Sequence, residues 1–372
     1  MTLAGRWTAE LDDLRGKGRY RSFRPPAGID FTSNDYLGYG PECQPAVTAD
    51  LPRSGMSSRL LRGHHPVWDE VEAILAAWHG AEAVLMMTSG YAANEGLIAT
   101  VAGPGDWVAV DELSHACVID GLRVSRPRKF LFRHNDLNHL EEGLKAEAAR
   151  RPEGRELFVV TESLFSMDGD TAPLRETAEL CERYGAHLIV DEAHTTGCVG
   201  PRGSGAVDAA GLRDRVLATV HTGGKALGLP GAYVCGSQLL KEYLINTCRH
   251  LIFTTALPAA VGVWWREQIP RVQADDTRRR RLDENASGFR SALSRHGIKP
   301  AGRDYVVPVV VGQDEPSVRA ATELQARGYD VRAIRPPTVP AGTCRLRVSV
   351  HADHDTTILS QLADAIAGVL RP

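Results

Sequence analysis

The chain has 372 residues, of which 43% are hydrophobic and 24% charged, and its formal net charge is −3. These values are ordinary for a globular enzyme, and the length allows two or three domains with large buried cores. The mildly negative charge argues against partners such as nucleic acid or an anionic membrane surface. No apolar run approaches the ~18 residues of a membrane span, and the N-terminal segment lacks the apolar core of a signal peptide.

The cysteines predict neither a disulfide framework nor a metal site. Their number is odd, and no two of them have a CxxC spacing. Free thiols are typical of a reducing cytoplasm, which we predict as the location of the protein. The cysteines are Cys43, Cys117, Cys181, Cys198, Cys235, Cys248 and Cys344.

The first helix signals follow an N-terminal stretch of about 40 residues that is polar and rich in Arg, Gly and Pro. The segment 66–80, PVWDEVEAILAAWHG, predicts a helix that starts near Pro66 and stops before Gly80. Its apolar residues recur at helical spacing on one face. These residues are Trp68, Val71, Ile74, Leu75 and Trp78.

Short apolar runs then alternate with helical segments as far as about residue 236. In chain order, the runs are AVLMM, WVAV, KFLF, ELFVV, HLIV, VLATV and AYVCG. Continuous apolar strands that alternate with helices are typical of an α/β fold. We therefore predict a large domain with a mostly parallel sheet that helices cover on both faces.

The pattern changes from about residue 270. The segment 271–293, RVQADDTRRRRLDENASGFRSAL, predicts one charged helix, and acidic neighbours favour a solvated face for its four arginines at 278–281. Strands near VVPVVV and CRLRVSV, with a last helix in TILSQLADAIAGVL, predict a smaller C-terminal α+β domain. We divide the chain into an N-terminal arm (1–45), a large domain (46–265) and a small domain (266–372).

Polar or small residues follow four of the apolar runs. LFVV leads into TESLFSMDGD, HLIV into DEAHTTG, VLATV into HTGGK and AVLMM into TSGYAAN. In parallel α/β sheets, ligands bind outside the carboxyl ends of the strands. TSGYAAN also opens a predicted helix, whose first N–H groups and dipole suit a phosphate. The sequence therefore predicts a polar pocket with an anion site at one sheet edge.

Lys225, in the HTGGK segment, has two interpretations. It is either a surface lysine or a Schiff-base amine, which requires partial desolvation. Asp191 ends a neighbouring predicted strand, and a buried aspartate costs free energy unless it is paired. The ring nitrogen of pyridoxal phosphate is a suitable partner, and His194 is placed to contact a ring substituent. The phosphate turn, the aspartate and the lysine follow one another in this chain order, all at strand ends, which favours pyridoxal phosphate as the cofactor.

A nucleic-acid-dependent ATPase is the alternative, because DEAH at 191–194 and TGGK at 222–225 look like helicase motifs. A phosphate-binding loop needs Ser or Thr after the lysine and a glycine five positions before the second Gly. Ala226 and Thr219 occupy those positions, and the lysine follows the acidic strand instead of preceding it. The net charge also lacks the excess of basic residues that a nucleic-acid motor needs.

Nine motifs, spread in order over about residues 30–350, resemble those of the α-oxoamine synthases, a family of fold-type I pyridoxal-phosphate enzymes. They are SNDYLG, GMSSRLLRG, TSGYAAN, DELSHA, TESLFSMDGD, VDEAH, HTGGKALG, FTTALP and AIRPPTVPAGTCRLR. The resemblance implies a homodimer with shared active sites that condenses an amino acid, L-alanine, with an acyl thioester and releases carbon dioxide. It leaves open the acyl chain, its carrier (coenzyme A or an acyl carrier protein), a member that uses glycine or serine, and an ordinary aminotransferase.

The resemblance also assigns roles to individual residues. Lys225 is expected to form the Schiff base, Asp191 to keep the ring nitrogen protonated, and His115 to stack on the ring. Arg347 is expected to pair with the amino-acid carboxylate, a geometry that arginine matches with two hydrogen bonds. The remaining cofactor candidates are Gly90, Tyr91, Ser166, His194, Thr222 and, toward the neighbouring subunit, Thr254 or Thr255. The remaining substrate candidates are Asn34, Thr338 and Arg21.

Structural roles remain as alternatives for several of these residues. Ser166 is otherwise a turn hydroxyl, and His115 otherwise helps to cap a helix for which Ser114 looks like the N-cap. Arg345 and Arg347 share one face of a predicted strand, so one of them is expected to form a structural ion pair. Thr195 after His194, and the pair Gly223–Gly224 before the lysine, depart from the family's usual pattern.

Overall fold

The computed structural model describes residues 1–23, 25–42 and 50–371. Cys43 and the predicted boundary between residues 45 and 46 lie outside them. The chain divides into two compact units. The terminal unit comprises Met1–Tyr36, Ser166–Asp170 and Arg280–Pro372, and the sheet unit comprises Leu37–Phe165 and Thr171–Arg279. The three-part division made from the sequence stays a prediction.

Helices and strands alternate through most of the chain. The helices are α1 (Leu3–Gly16), α2 (Val67–His79), α3 (Gly90–Val101), α4 (Ala116–Ser125), α5 (Leu137–Ala148), α6 (Leu174–Tyr184), α7 (Ala206–Ala209), α8 (Gln238–Thr247), α9 (Arg249–Ile252), α10 (Ala259–Ala274), α11 (Asp276–Arg295), α12 (Asp314–Ala326) and α13 (Thr356–Leu370). Within the described ranges, none of the helices combines the length and the apolar character that crossing a membrane demands.

Within the described residues, the strands form three sheets. They are β1 (Ile29–Asp30), β2 (Ala83–Met87), β3 (Trp107–Asp111), β4 (Arg128–Phe132), β5 (Leu157–Glu162), β6 (Ala186–Asp191), β7 (Ala218–Thr222), β8 (Ala232–Gly236), β9 (Val306–Gly312), β10 (Tyr329–Asp330), β11 (Arg332–Ile334) and β12 (Cys344–Ser349). In the terminal unit, β11, β12 and β9 form an antiparallel sheet, and β1 pairs with β10 in parallel.

The sheet unit contains a seven-stranded sheet in the order β2-β8-β7-β6-β5-β3-β4. Only β8 runs antiparallel to its neighbours, so the prediction of a mostly parallel sheet is confirmed. Successive strand residues point to opposite faces. Val160 and Ile189 accordingly pack in a core on the α3 and α4 side, whereas Val159 and Val190 pack on the α5 and α6 side. Full burial of such an aliphatic side chain stabilises the fold by roughly 1.5–3 kcal/mol.

This topology brings the predicted strand ends to one edge of the sheet. Strands β2, β5, β6 and β7 all run in the same direction, because β8 is antiparallel to both β2 and β7. Glu162 and Asp191 are register partners in the last pair of β5 and β6. The carboxyl ends of the four strands, and the turns that follow them, therefore form a common edge where Ser89, Asp191 and Thr222 lie.

Two helical features differ from the sequence-based expectation. Helix α1 occupies part of the N-terminal stretch for which no helix was predicted, and the Thr2 hydroxyl caps it by accepting from the backbone N–H of Gly5. The predicted charged helix is broken at Asp275, which ends α10. The Asp275 carboxylate accepts from the backbone N–H of Arg278, so the same residue caps the start of α11.

The arginine run at 278–281 is only partly solvated, contrary to prediction. Arg279 is 7% exposed and donates to the carbonyls of Val272 and Gln273 at the end of α10. Arg278 donates to the carbonyls of Leu37 and Gly38. Both guanidinium groups therefore donate to backbone carbonyls, which explains why they point inward.

Candidate functional site

The amine of Lys225 lies inside the edge that the four strand ends form. Lys225 is half-buried, and its Nζ is 2.7 Å from Nε2 of His194. The lysine follows β7 and the histidine follows β6, which are paired neighbours in the sheet. This hydrogen bond distinguishes Lys225 from a surface lysine whose amine extends into water, and it brings together two of the predicted site residues.

The turn before the lysine requires one glycine and not the other. A Cβ on Gly223 would lie 2.4 Å from Cζ2 of Trp265 and 2.5 Å from the carbonyl oxygen of Leu229. At Gly224, by contrast, the nearest atoms to a Cβ are at 3.9 and 4.0 Å. Gly223 is therefore required at this position, because the indole of Trp265 fills the space that a side chain would need.

Asp191 is a buried carboxylate, 6% exposed, with two neutral donors. Its Oδ1 accepts from the backbone N–H of Ala193 at 2.8 Å, and its Oδ2 accepts from Nδ2 of Asn94 at 2.7 Å. Among the residues that the structure describes, no basic side chain lies within ion-pair distance of it. A buried carboxylate without a cationic partner is costly, and a protonated ring nitrogen of pyridoxal phosphate fits it.

The predicted phosphate turn lies next to the end of β7. Ser89 caps α3, its Oγ accepting from the backbone N–H of Ala92 at 3.2 Å. A Cβ on Gly90 would lie 3.5 Å from both Cβ and Oγ1 of Thr222. The first N–H groups of a helix and a nearby threonine hydroxyl are suitable donors to a phosphate, and the binding of a phosphate by these residues stays a prediction.

His115 is the N-cap of α4, a role that the sequence had favoured for Ser114. Its Nδ1 accepts from the backbone N–H of Cys117 at 3.2 Å, whereas Oγ of Ser114 is buried without a partner among the described atoms. Burial lowers the pKa of His115, although the charge of Asp191 opposes the shift. The lowered pKa favours the neutral imidazole, and because Nδ1 accepts a hydrogen bond, the proton of the neutral ring is on Nε2. The ring of Tyr91 meets it edge-on, with centroids 6.2 Å apart.

Two residues of this edge, Glu162 and Asn94, escaped the sequence analysis. Glu162 is 3% exposed, and its Oε1 accepts from the backbone N–H of His115 at 2.6 Å. Burial, followed by the charge of Asp191, raises the pKa of Glu162 to about 8, so it holds a proton at neutral pH. Their positions in TESLFSMDGD and TSGYAAN were visible in the sequence, but nothing local showed that both side chains turn toward Asp191.

In the terminal unit, Arg345 and Arg347 have different partners. Arg345 forms an ion pair with Asp168, 2.6 Å from its Oδ1. Arg347 is 6% exposed and has uncharged partners, including the carbonyl of Ser166 at 2.6 Å and Oδ1 of Asn34 at 2.8 Å. No carboxylate of the described chain segments lies within ion-pair distance of Arg347. Its positive charge is therefore available for an anion, and the structure brings Arg347 and Asn34 together.

The two remaining substrate candidates, Arg21 and Thr338, line one cavity of the terminal unit with a volume of about 230 Å³. Arg19 and Arg335 also line it. Arg19 is paired with a carboxylate of Asp314 at 2.9 Å, whereas Arg21 forms no ion pair with the described part of the chain. The cavity is therefore positively charged and suits an anionic group.

Thr254 and Thr255 follow α9 in the sheet unit. Thr254 is half-buried and lines a small cavity of about 20 Å³ with Arg59 and Trp68, while Thr255 is exposed. Their role toward a neighbouring subunit stays a prediction.

A mostly parallel sheet with a lysine, a buried aspartate and a helix N-terminus at one edge is the arrangement of fold-type I enzymes. Residues 26–366 match the family described as aminotransferase class I and II. The chain is 39% identical to 8-amino-7-oxononanoate synthase of Chlorobaculum parvum over 389 aligned residues, which cover 97% of each protein. The chain therefore belongs to the aminotransferase class I and II family.

Solved structures agree with this assignment. A structure of SPT (serine palmitoyltransferase) with PLP internal aldimine superposes with a TM-score of 0.89 and 28% identity, over 99% of this chain and 98% of that chain. The 8-amino-7-oxononanoate synthase of Francisella tularensis superposes with a TM-score of 0.75 and 25% identity, over 92% and 97%. The predicted fold class, a fold-type I α/β enzyme, is confirmed.

Proposed function

We propose that this chain is a pyridoxal-phosphate-dependent 8-amino-7-oxononanoate synthase. It condenses L-alanine with pimeloyl-CoA or a pimeloyl-carrier protein and releases carbon dioxide and the free thiol, a step in biotin biosynthesis. The observation that carries the proposal is the placement of Lys225 in the turn after β7, beside Asp191, a buried carboxylate with neutral donors only, at the end of the neighbouring strand β6. The relative from Chlorobaculum parvum, which bears this name, supports the choice within the family.

Residues of the sheet unit offer the groups that would hold the coenzyme. Lys225 would carry it covalently, Asp191 would hold its ring nitrogen, and His194 would contact the ring hydroxyl. The Gly90 end of α3, together with Thr222, would bind the phosphate, and His115 would cover the ring face. When bound, the coenzyme supplies an electron sink for a carbanion at the α-carbon of the amino acid.

The protein's own groups then move and hold protons. The Nζ amine of Lys225, freed when the amino acid binds, takes the proton from its α-carbon. His194 accepts a hydrogen bond from that amine at Nε2 and thereby orients it. Asp191 keeps the proton on the ring nitrogen, and the Nε2–H of the neutral His115 is a donor for the oxygen of the thioester as charge develops there.

Arg347 of the terminal unit is the proposed partner of the amino-acid carboxylate. Its buried guanidinium has only uncharged partners in the described segments, so a substrate carboxylate would neutralise it. The basic cavity of Arg21 and Thr338 is proposed for the free terminal carboxylate of a pimeloyl thioester. We also propose, from the family resemblance, that Ser166 contacts the cofactor and that Asn34 contacts the substrate.

We further propose a homodimer in which Thr254 or Thr255 reaches the phosphate of the neighbouring subunit. Whether coenzyme A or an acyl carrier protein delivers the acyl group is left to experiment. A cytoplasmic location is supported by six cysteines of the described ranges, none of which is in a disulfide.

One experiment tests this function against its alternatives. The PLP-loaded protein is incubated with L-alanine and a panel of acyl thioesters, and both product mass and released carbon dioxide are measured. The proposal predicts 8-amino-7-oxononanoate and carbon dioxide with the pimeloyl thioester. An aminotransferase would release no carbon dioxide and would use a keto acid, another α-oxoamine synthase would prefer glycine or serine, and an ATPase would take up no PLP.

A further inference from the structure

Asn94 is a buried amide on the second turn of α3, and it contacts the aspartate of the site. It is 2% exposed, and its Nδ2 donates to Oδ2 of Asp191 at 2.7 Å and to the carbonyl of Gly90 at 3.4 Å. We propose that Asn94 is a positioning residue, whose amide fixes the Asp191 carboxylate in the orientation that holds the coenzyme ring nitrogen. This inference rests on the proposed function.

Two hydrogen bonds fix the plane of the Asp191 carboxylate. The backbone N–H of Ala193 binds Oδ1 at 2.8 Å, and Asn94 binds Oδ2. Each carboxylate oxygen has a second lone pair, so both bonds leave capacity for a further donor such as a ring N–H. Without Asn94, the carboxylate would be held on one oxygen only and could rotate about its Cβ–Cγ bond.

The orientation of the Asn94 amide follows from chemistry. The reverse orientation would place Oδ1 against the Asp191 carboxylate, and two acceptors without a proton between them repel each other. With Nδ2 toward Asp191, Oδ1 is buried without a partner among the described atoms. A buried unpaired oxygen costs free energy, so packing alone is a poor explanation for an asparagine here, and its donor to Asp191 is the better one.

A substitution can separate the donor from the shape of the side chain. Aspartic acid has the size of asparagine, and it donates a hydrogen bond only when protonated. In Asn94→Asp, the new carboxyl would replace the amide donor at low pH. At high pH it would ionise and repel Asp191. The titratable groups whose charges interact with that of Asp191 are Glu162, His115, Cys117 and Glu192, and the charge of Lys225 acts on the first three of them. None of these residues is substituted in the variant.

The test measures the dissociation constant of PLP by absorbance titration of the cofactor-free protein, from about pH 6 to about pH 9. For each variant, the dissociation constant of PLP is divided by that of the wild type at the same pH. We expect Asn94→Ala to bind PLP roughly tenfold more weakly at every pH, because one hydrogen bond to a charged group is lost. For Asn94→Asp, we expect this ratio to be near one at low pH and to rise about tenfold or more at high pH.

Thr177→Val is the matched control. Thr177 is 3% exposed in the same unit, and its hydroxyl donates to the carbonyl of Pro173 on the α6 side of the sheet. This variant also removes a buried hydrogen bond, and we expect its ratio of PLP dissociation constants to stay near one at every pH. Equal binding by Asn94→Ala and the wild type, or a pH-independent ratio for Asn94→Asp, would overturn the inference alone. A wild type that binds no PLP would overturn the proposed function with it.

Discussion

Nζ of Lys225 lies 2.7 Å from Nε2 of His194, each residue in the turn that follows a strand of one parallel pair. When the ammonium group donates this hydrogen bond, Nε2 of the histidine is the acceptor and Nδ1 carries the ring proton. The histidine thereby directs the amine along the strand-end edge. The same edge holds Asp191, so the amine in the turn after β7 and the carboxylate at the end of β6 are brought together by adjacent strands.

Replacement of Asp191 by Asn tests the proposed role of the charge. Asp191→Asn keeps the size of the side chain but removes the negative charge that stabilises a protonated ring nitrogen. We expect PLP to remain bound, while exchange of the alanine α-proton slows by about 10²-fold or more, the usual effect of removing a preorganised electrostatic contact. Proton exchange is followed in deuterated buffer by NMR. An unchanged exchange rate would contradict the role.

Arg347 and Arg345 offer a matched pair for the substrate carboxylate. Arg347→Lys keeps the charge but loses the planar fork, so we expect KM for L-alanine to rise about tenfold or more. Arg345→Lys disturbs the ion pair with Asp168. It is expected to lower thermal stability and to leave KM for L-alanine unchanged. Steady-state kinetics and thermal melts of both variants measure these effects. A raised KM in Arg345→Lys with an unchanged KM in Arg347→Lys would contradict the assignment and exchange the roles of the two arginines.

Gly223 and Gly224 test the packing of the lysine turn. Gly223→Ala places a methyl group against Trp265 and the carbonyl of Leu229, so we expect a loss of roughly 1–3 kcal/mol in the free energy of unfolding, together with weaker PLP loading. Gly224→Ala has room for the methyl group and is the control. Urea denaturation measures both. Equal stability of the two variants would show that the indole does not restrict the turn.

Glu162 predicts a pH dependence of stability in the cofactor-free protein. Burial raises its folded pKa to about 8, above the usual value of about 4.3 in an unfolded chain. The folded state therefore binds the proton more tightly. This contribution is fully present below the unfolded pKa and is lost as pH rises toward 8. Relative to Glu162→Gln, which does not titrate, the wild type should lose stability between about pH 5 and about pH 8.

Urea midpoints at the two pH values measure this difference. Gln retains an oxygen that can accept from the backbone N–H of His115, so the comparison isolates the titration. Glu142→Gln, at an exposed position of α5, serves as the control. A difference between wild type and Glu162→Gln that stays constant with pH would show that Glu162 is not protonated in the folded state near neutrality.

The sequence was most informative where the structure depends on local pattern and chain direction. Each apolar run predicted a strand, and the residues after it predicted an edge, because the carboxyl ends of parallel strands meet there. That reasoning predicts that Asp191 and Lys225 lie at one edge, whereas Thr222 was assigned from the family resemblance. It also left Arg345 and Arg347 equivalent, since residues two apart on a strand differ only in the tertiary partners that they meet.

Contacts between distant segments account for what was missed. The Asn94–Asp191 bond joins α3 to the end of β6, 97 residues apart along the chain, and no local signal marks it. The inward turn of Arg279 depends on the carbonyls at the end of α10, where Asp275 interrupts the predicted helix. Helix α1 was missed because no residue of it is buried, so its sequence does not show the contrast that marks a packed face.

Reduction with borohydride, followed by peptide mass spectrometry, shows directly whether Lys225 carries the coenzyme. The PLP-loaded protein is treated with borohydride, which reduces a Schiff base to a stable secondary amine. It is then digested, and the modified peptide is located by mass spectrometry. We expect the pyridoxyl group on Lys225 alone. Modification of a different lysine, or a digest in which no lysine carries the group, would contradict it.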